Sequence, residues 1–430
     1  MNKKTEKKVL IASLIGSSIE WFDFFLYASV ASIIFSKQFF VTNDPAVSNL
    51  IAYFGLALSF FIRPFGGVVF AHIGDKVGRK KTLVMTLTLM GIATVVIGLI
   101  PNYETIGIAA PLLLLLCRLV QGLGIGGEWG GSLLLATEYA PPERRGFFGS
   151  VPQMGVTIGM VLGSLAFYIM TSITTDAQFN SYGWRIPFIL SGVLVFFGLW
   201  IRKGLDETPD FKEAQKSGDI PKIPLLHTIK YHWKEVLITS GAKFVETAPF
   251  YIFGTFVVGY ATSTLGVKFE HVMLIVMTSA VLTTILIPFY GKMSDRVGRK
   301  KLYIIGATAM LLYAFPYFWL LQQKSVLFVL IATVIGLSII WSPITAVLGT
   351  MFSEVFNKEV RYTGVTLGYQ IGAAIAGGTA PMIAEFLMGR FNHSYVPVAI
   401  YIMIIACISI LSVLTIKNKK ADDLAHTEIN

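Results

Sequence analysis

The sequence predicts an all-α membrane protein that crosses the bilayer twelve times in two six-helix halves. Three observations carry that expectation: an apolar composition, long apolar runs, and a charged motif that returns in the second half. Of the 430 residues, 54% are hydrophobic and 14% charged, against about 25% charged in an ordinary soluble domain. A soluble chain of this length would form two or three domains, each with a charged coat that this one cannot supply. A soluble enzyme, a nucleic-acid-binding protein and a disordered scaffold are all poor fits.

A bilayer core about 30 Å thick takes about 20 apolar residues per helix, and a helix satisfies its own backbone groups in lipid. Twelve runs qualify: 9–36, 47–73, 82–101, 106–136, 147–173, 184–201, 235–263, 270–291, 302–321, 325–350, 362–389 and 395–416. The strands of a membrane barrel would alternate, and runs such as Leu83–Ile100 do not. The first run is too long and too charged for a cleavable signal.

The net charge of +10 follows this topology. Of the 35 lysines and arginines, 27 fall on the side shared by the N-terminus and the central polar segment. Five fall on the other side, and Arg63, Arg118 and Lys243 lie within spans. The positive-inside rule then places both termini in the cytoplasm of a multi-pass plasma- or inner-membrane protein. Basic charge spent this way implies no nucleic-acid partner. Cys117 and Cys407 both fall in spans and six histidines are scattered, so neither a disulfide framework nor a metal site is expected.

Segment 202–234 is polar and holds Pro209, Pro221 and Pro224. It divides the chain into an N-terminal bundle (1–201), a cytoplasmic linker (202–234), a C-terminal bundle (235–417) and a cytoplasmic tail (418–430). Gly74-Asp75-Lys76-Val77-Gly78-Arg79-Lys80-Lys81 returns 220 residues later as Ser294-Asp295-Arg296-Val297-Gly298-Arg299-Lys300-Lys301. A weaker echo links Glu138, Arg144, Arg145 and Gly146 to Glu354, Arg361 and Gly364. Such parallel repeats imply an axis along the membrane normal and a substrate site between the halves near the midplane.

The repeated loop, twelve spans and long linker resemble the major facilitator superfamily, and several stretches resemble its metabolite:proton symporter family. These are Glu20-Trp21-Phe22-Asp23-Phe24, Arg63-Pro64-Phe65-Gly66-Gly67, and Arg118-Leu119-Val120-Gln121-Gly122 with Gly126-Gly127-Glu128-Trp129-Gly130-Gly131. Trp184-Arg185-Ile186-Pro187-Phe188 and Leu205-Asp206-Glu207-Thr208-Pro209 continue the likeness. The resemblance implies a major-facilitator-type fold and carriage of a shikimate-like acid, α-ketoglutarate, or proline and betaine. Wording around Glu128 and Gly146 is closest to the shikimate-like branch. The chain ends shortly after its last span, without the coiled coil that osmolyte carriers often add.

In that family the loop aspartate meets the positive start of a helix in the other half, and the arginine pairs with an acid ending span 4 or 10. The resemblance therefore implies two latches at the inward mouth, Asp75, Arg79 and Glu138 in one half and Asp295, Arg299 and Glu354 in the other. The alternative is that these charges only anchor topology.

Charges within a span each cost roughly 2.5–3.5 kcal/mol at a helix centre and usually face the bundle interior. Well inside its spans the sequence holds seven: Glu20, Asp23, Arg63, Arg118, Glu128, Lys243 and Glu246. Glu20 and Asp23, three apart, share a helix face with Tyr27. Such a desolvated pair suits a proton carrier, or simply pairs with Arg63 or Arg118. Arg118, Gln121 and Glu128 fall within about 80° on one helix. Arg118 offers a planar fork to a substrate carboxylate, or forms a structural bridge to Glu20, Asp23 or Glu128. Lys243 and Glu246, three apart before Pro249, either neutralise each other or touch substrate, and Pro249 invites local unwinding.

Gly122-Leu123-Gly124-Ile125-Gly126-Gly127 imitates a dinucleotide fingerprint but follows no strand, and no nucleotide-binding phosphate loop occurs. The expected function is thus transport, not catalysis: proton-coupled symport of a small carboxylated metabolite, without a cofactor, driven by the proton gradient. Expected substrate contacts are Arg118, Arg63, Lys243, Gln121 and Tyr27; expected proton sites are Glu20, Asp23, Glu128 and Glu246. The expected partners are the small-molecule substrate, protons and lipid, and the chain is expected to work as a monomer. A proline/betaine-type osmolyte symporter is the nearest alternative, and a drug/proton antiporter a more distant one.

Overall fold

The computed structural model describes residues 3–204, 206–207, 224–358, 360–392 and 394–416. Twelve of its helices are long and apolar enough to cross a membrane. They are α1 (Lys3–Val30), α2 (Pro45–Val77), α3 (Arg79–Leu99), α4 (Ala109–Glu138), α5 (Arg145–Ile173) and α6 (Arg185–Lys203). After the linker come α7 (Trp233–Thr262), α8 (Phe269–Val297), α9 (Arg299–Leu321), α10 (Val326–Val355), α11 (Arg361–Arg390) and α12 (Val396–Leu414). Most of the linker and the whole tail 418–430 lie outside the described residues; the linker ends in a short helix, Pro224–Tyr231.

Packing repeats pair by pair. In the first half α1 lies on α5, α2 and α3 on α4, and α3 on α6. In the second α7 lies on α11, α8 and α9 on α10, and α9 on α12. The halves meet where α2 packs on α11 and α5 on α8, a pair of contacts that the same two-fold exchanges. The linker helix touches both α2 and α11, on the face where the repeated loops and the linker lie, called the linker face below.

The repeated motif explains two turns directly. Gly78 and Gly298 hold φ of +111° and +97° between α2 and α3 and between α8 and α9. Only glycine adopts that region without steric penalty, so the chain can reverse in a single residue. Glycine also sets the approach of α2 to α4. A Cβ on Gly66 would run into the Leu123 carbonyl, and one on Gly126 into the Arg63 carbonyl. That small-residue seam brings two backbones together in a medium that offers no hydrophobic drive.

Two expectations need correction. The sixth span does not end at residue 201: α6 runs to Lys203, so Arg202 belongs to a helix and is 2% exposed. Among the described residues the charged side chains buried in these helices are then nine, five basic (Arg63, Arg79, Arg118, Arg202 and Lys243) and four acidic (Glu20, Asp23, Glu128 and Glu246). Nor does Pro249 unwind α7. The Ile252 amide bonds the Ala248 and Pro249 carbonyls, so the helix continues past the proline and widens to a π turn over Ile252–Phe256.

Candidate functional site

At the seam between the halves lies a small cavity of about 10 Å³, space for about one water. Its charged lining is Arg63 from α2 with Lys243 and Glu246 from α7. Aromatic rings from α1, α2, α7, α10 and α11 supply most of the rest. Trp21 meets Phe250 at 5.9 Å, and Phe24 and Phe60 meet Tyr251 at 6.0 and 5.7 Å. These contacts join the halves on the side away from the linker.

Arg63 is 3% exposed and has no hydrogen-bond or ion-pair partner among the described residues. Its guanidinium lies 4.1 Å from the Phe60 ring centroid, 5.8 Å from Phe24 and 5.9 Å from Trp21. Lys243 is held differently, in an ion pair with Glu246. The Glu246 carboxylate also accepts from Thr247 at 2.9 Å and Thr345 at 3.1 Å. Glu20, 3% exposed, has no ion-pair partner among the described residues. Arg63, Glu128, Lys243 and Arg202 lie within its electrostatic reach.

Arg118, Gln121, Tyr27 and Asp23 do not line this cavity. They form a network inside the first half, between α1, α2, α3 and α4. The Thr94 hydroxyl donates to Asp23 at 2.6 Å, Gln121 donates to Thr94 at 2.6 Å, and Arg118 donates to Gln121 at 2.7 Å and to the Gly55 carbonyl at 3.3 Å. The Arg118 guanidinium covers the Tyr27 ring at 4.1 Å, and Tyr27 donates to the Ala52 carbonyl at 3.2 Å. Two of the three Arg118 guanidinium nitrogens are thus engaged by neighbours, Nη2 has no hydrogen-bond partner among the described residues, and the cavity's own cations are Arg63 and Lys243.

Glu128 pairs with Arg202, not with Arg118. Thr86 and Ser132 donate to the same carboxylate at 2.8 and 2.9 Å, and Arg202 also donates to the Leu83 carbonyl at 2.6 Å. A signal for Arg202 was present in the sequence. The buried positions of α6 are 187, 188, 191, 195, 198 and 202, a helical stripe that ends on the arginine.

On the linker face the halves are closed against each other. Asp295 accepts from the backbone amides of Gly146 at 2.7 Å and Phe147 at 3.1 Å, at the positive N-terminus of α5. Arg299 donates to Asp295 at 2.8 Å and lies 3.7 Å from Glu354. In the first half Arg79 lies 3.5 Å from Glu138, while the side chain of Asp75 lies outside the described residues. Glu207, which no role was assigned from sequence, accepts from the Arg79 and Lys80 amides at 2.9 and 3.3 Å. It caps α3 as Asp295 caps α5. Further cross-half bonds run from Tyr362 to the Gly127 carbonyl at 2.6 Å and from Gln370 to that of Gly126 at 3.0 Å.

Asp295→Asn keeps the shape but can accept with only one oxygen and carries no charge for the helix terminus. Spin labels at Arg144 and Lys292, which face each other across this cleft, should then report a larger population of long distances. An unchanged distance distribution would show that Asp295 does not hold the mouth.

The chain resembles known proteins along nearly its whole length. Residues 8–219 match the family model "Sugar (and other) transporter" and residues 239–428 the model "Major Facilitator Superfamily". It is 39% identical over 415 residues to the inner membrane metabolite transport protein YhjE of Escherichia coli (strain K12), covering 95% of this chain and 94% of that one. With the shikimate transporter of the same organism it shares 35% identity over 416 residues, 96% and 95% of the two chains. The structure of the proton:xylose symporter XylE bound to 6-bromo-6-deoxy-D-glucose superposes with a TM-score of 0.75 over 96% of this chain and 95% of that one, at 18% identity. Two repeated bundles closing over a charged central cavity, joined to relatives aligned almost end to end, make this chain a multi-pass membrane transporter of the major facilitator superfamily.

Proposed function

We propose that this transporter takes up a small carboxylated metabolite together with a proton, by alternating access, with its linker face in the cytoplasm. The observation that carries the reading is Arg63: a buried cation at the seam of the halves, boxed by rings and without a carboxylate partner among the described residues. A guanidinium in a site with little water binds a carboxylate through its planar fork. The distribution of basic residues supports the orientation.

Glu20 supplies the coupling. With the Glu128–Arg202 and Lys243–Glu246 pairs already neutral, an ionised Glu20 is the charge left to compensate Arg63. An incoming anion would meet that carboxylate. At a separation of ~6 Å and an effective dielectric near 20, the repulsion is about 3 kcal/mol, about a hundredfold in affinity. A proton on Glu20 removes it, so substrate and proton bind together and cross as a neutral unit. No cofactor takes part, and one chain encloses the path, so the monomer is the working unit.

The same box disfavours a betaine-like substrate. A quaternary ammonium needs free aromatic faces, and Phe60, Phe24 and Trp21 already surround a cation. Uptake of labelled shikimate into proteoliposomes tests the reading. An inside-alkaline gradient should drive accumulation, while a potassium-valinomycin potential without a pH gradient should not. Uptake indifferent to the pH gradient would overturn proton symport. Proline or betaine accumulating in preference to shikimate would transfer the site to osmolytes.

A further inference from the structure

The linker-side wall of the cavity is an aromatic sandwich that ends on a charge. The Trp129 indole of α4 and the Tyr369 ring of α11 stack with centroids 3.4 Å apart and planes 20° from parallel. The Lys243 ammonium stands 3.7 Å from the same Tyr369 centroid. The indole covers one face of the tyrosine ring and leaves no room there for a second group at that distance, so the ammonium covers the other. The order is Lys243, Tyr369, Trp129, and the last step crosses from one half to the other.

This stack joins the cavity to the closed mouth. Tyr369 and Lys243 both line the cavity. Beside Trp129 are the Gly126 and Gly127 carbonyls that Gln370 and Tyr362 reach from α11. Trp129 itself donates at 2.8 Å to Gln153, whose amide crosses to the Thr345 carbonyl at 3.1 Å. These bonds join uncharged groups. The sandwich is where they meet a cavity charge.

We propose that Lys243 latches the linker-side mouth through Tyr369, and that a negative charge entering the cavity releases it. A desolvated ammonium is attracted to the negative face of the ring, which holds the tyrosine against the indole. The ammonium also answers to carboxylates, as its pairing with Glu246 shows. A substrate carboxylate seated at Arg63 draws it from the ring and leaves a neutral stack that the halves can part. Lys243 is thus a positioning residue acting through Tyr369. The release step rests on the anion reading above; the latch does not.

The test needs no substrate. In full-length protein with Cys117 and Cys407 replaced by alanine, Thr366→Cys places a thiol at a fully buried position facing Gly67 and Gly130 across the seam. Its alkylation rate by a maleimide reports opening of the mouth. Lys243→Met with Glu246→Gln removes the ammonium without stranding a carboxylate. It should raise the rate about tenfold, or 1.4 kcal/mol in the opening equilibrium. Tyr369→Leu should raise it similarly, Tyr369→Phe should not, and all three neutral changes together should do no more than Tyr369→Leu alone. An unchanged rate in the neutral pair, or effects that multiply, would overturn the latch, because a general packing role for Lys243 does not vanish when the ring is removed. Lys243→Gln with Glu246→Gln, run in parallel, keeps the cycle available if the first pair does not fold. Since the labelling is done without substrate, a negative result leaves the uptake experiment standing.

Discussion

Replacing Glu20 by glutamine should abolish gradient-driven accumulation while leaving exchange of substrate across the membrane intact. Glutamine imitates the protonated acid in shape and charge, so Arg63 remains available to a carboxylate at any pH. With nothing to release in the cytoplasm, the carrier loses its link to the gradient. For one proton per substrate, each unit of pH difference is worth 1.36 kcal/mol, or tenfold accumulation. That ratio should fall to one in the variant. Counterflow of labelled against unlabelled shikimate should persist and lose its dependence on external pH. In the parent protein uptake should weaken as external pH rises, because the proton site fills less often. Asp23→Asn is the informative companion. Asp23 is hydrogen-bonded to Thr94 in the Arg118 network, away from the cavity. If Asp23→Asn uncouples and Glu20→Gln does not, the proton site lies in that network.

The difference between these two acids shows where sequence reading reached its limit. Glu20 and Asp23 are three apart and were placed on one helix face, which is right to about 60° and one helical turn. At that resolution their partners could not be separated. One faces the Arg63 side of the bundle and the other faces Thr94 and Arg118, because tilt and rotation of neighbouring helices decide which long side chains meet. Local pairings were legible: Lys243 with Glu246 follows from a three-residue spacing alone. So were turns fixed by a single backbone requirement, such as Gly78 and Gly298. The contact of Asp295 with the start of α5 and the nearness of Arg299 to Glu354 came through the family resemblance, not spacing. Arg202 escaped because an apolar run was ended at its last apolar residue, although its burial stripe continued one helical step further. Cross-helix partners such as Gln121 with Thr94, and Arg118 with the Gly55 carbonyl, had no linear signature.

Arg202→Met should be among the most destabilising single changes in the first half. Glu128 is 0% exposed, and without the guanidinium its carboxylate keeps only the hydroxyls of Thr86 and Ser132. Breaking one side of a buried ion pair costs about 3–5 kcal/mol because a charge is left uncompensated. Thermal unfolding of the purified protein in detergent should shift sharply downward, and yield from membranes should fall with it. Arg202→Lys should not rescue, since one ammonium cannot reproduce a fork that spans both carboxylate oxygens and the Leu83 carbonyl. Adding Glu128→Gln should recover most of the loss, because a neutral amide can use the same two hydroxyls beside a methionine of similar length. A double variant as unstable as Arg202→Met would show that packing of α1 against the guanidinium at Gly16, and not charge, is what the pair provides. The rescued protein also separates stability from coupling. Glu128 lies outside the cavity and already has its counter-ion, so the double variant should still accumulate shikimate against the gradient. A well-folded double variant that binds substrate but no longer responds to pH would move the proton path from Glu20 to Glu128.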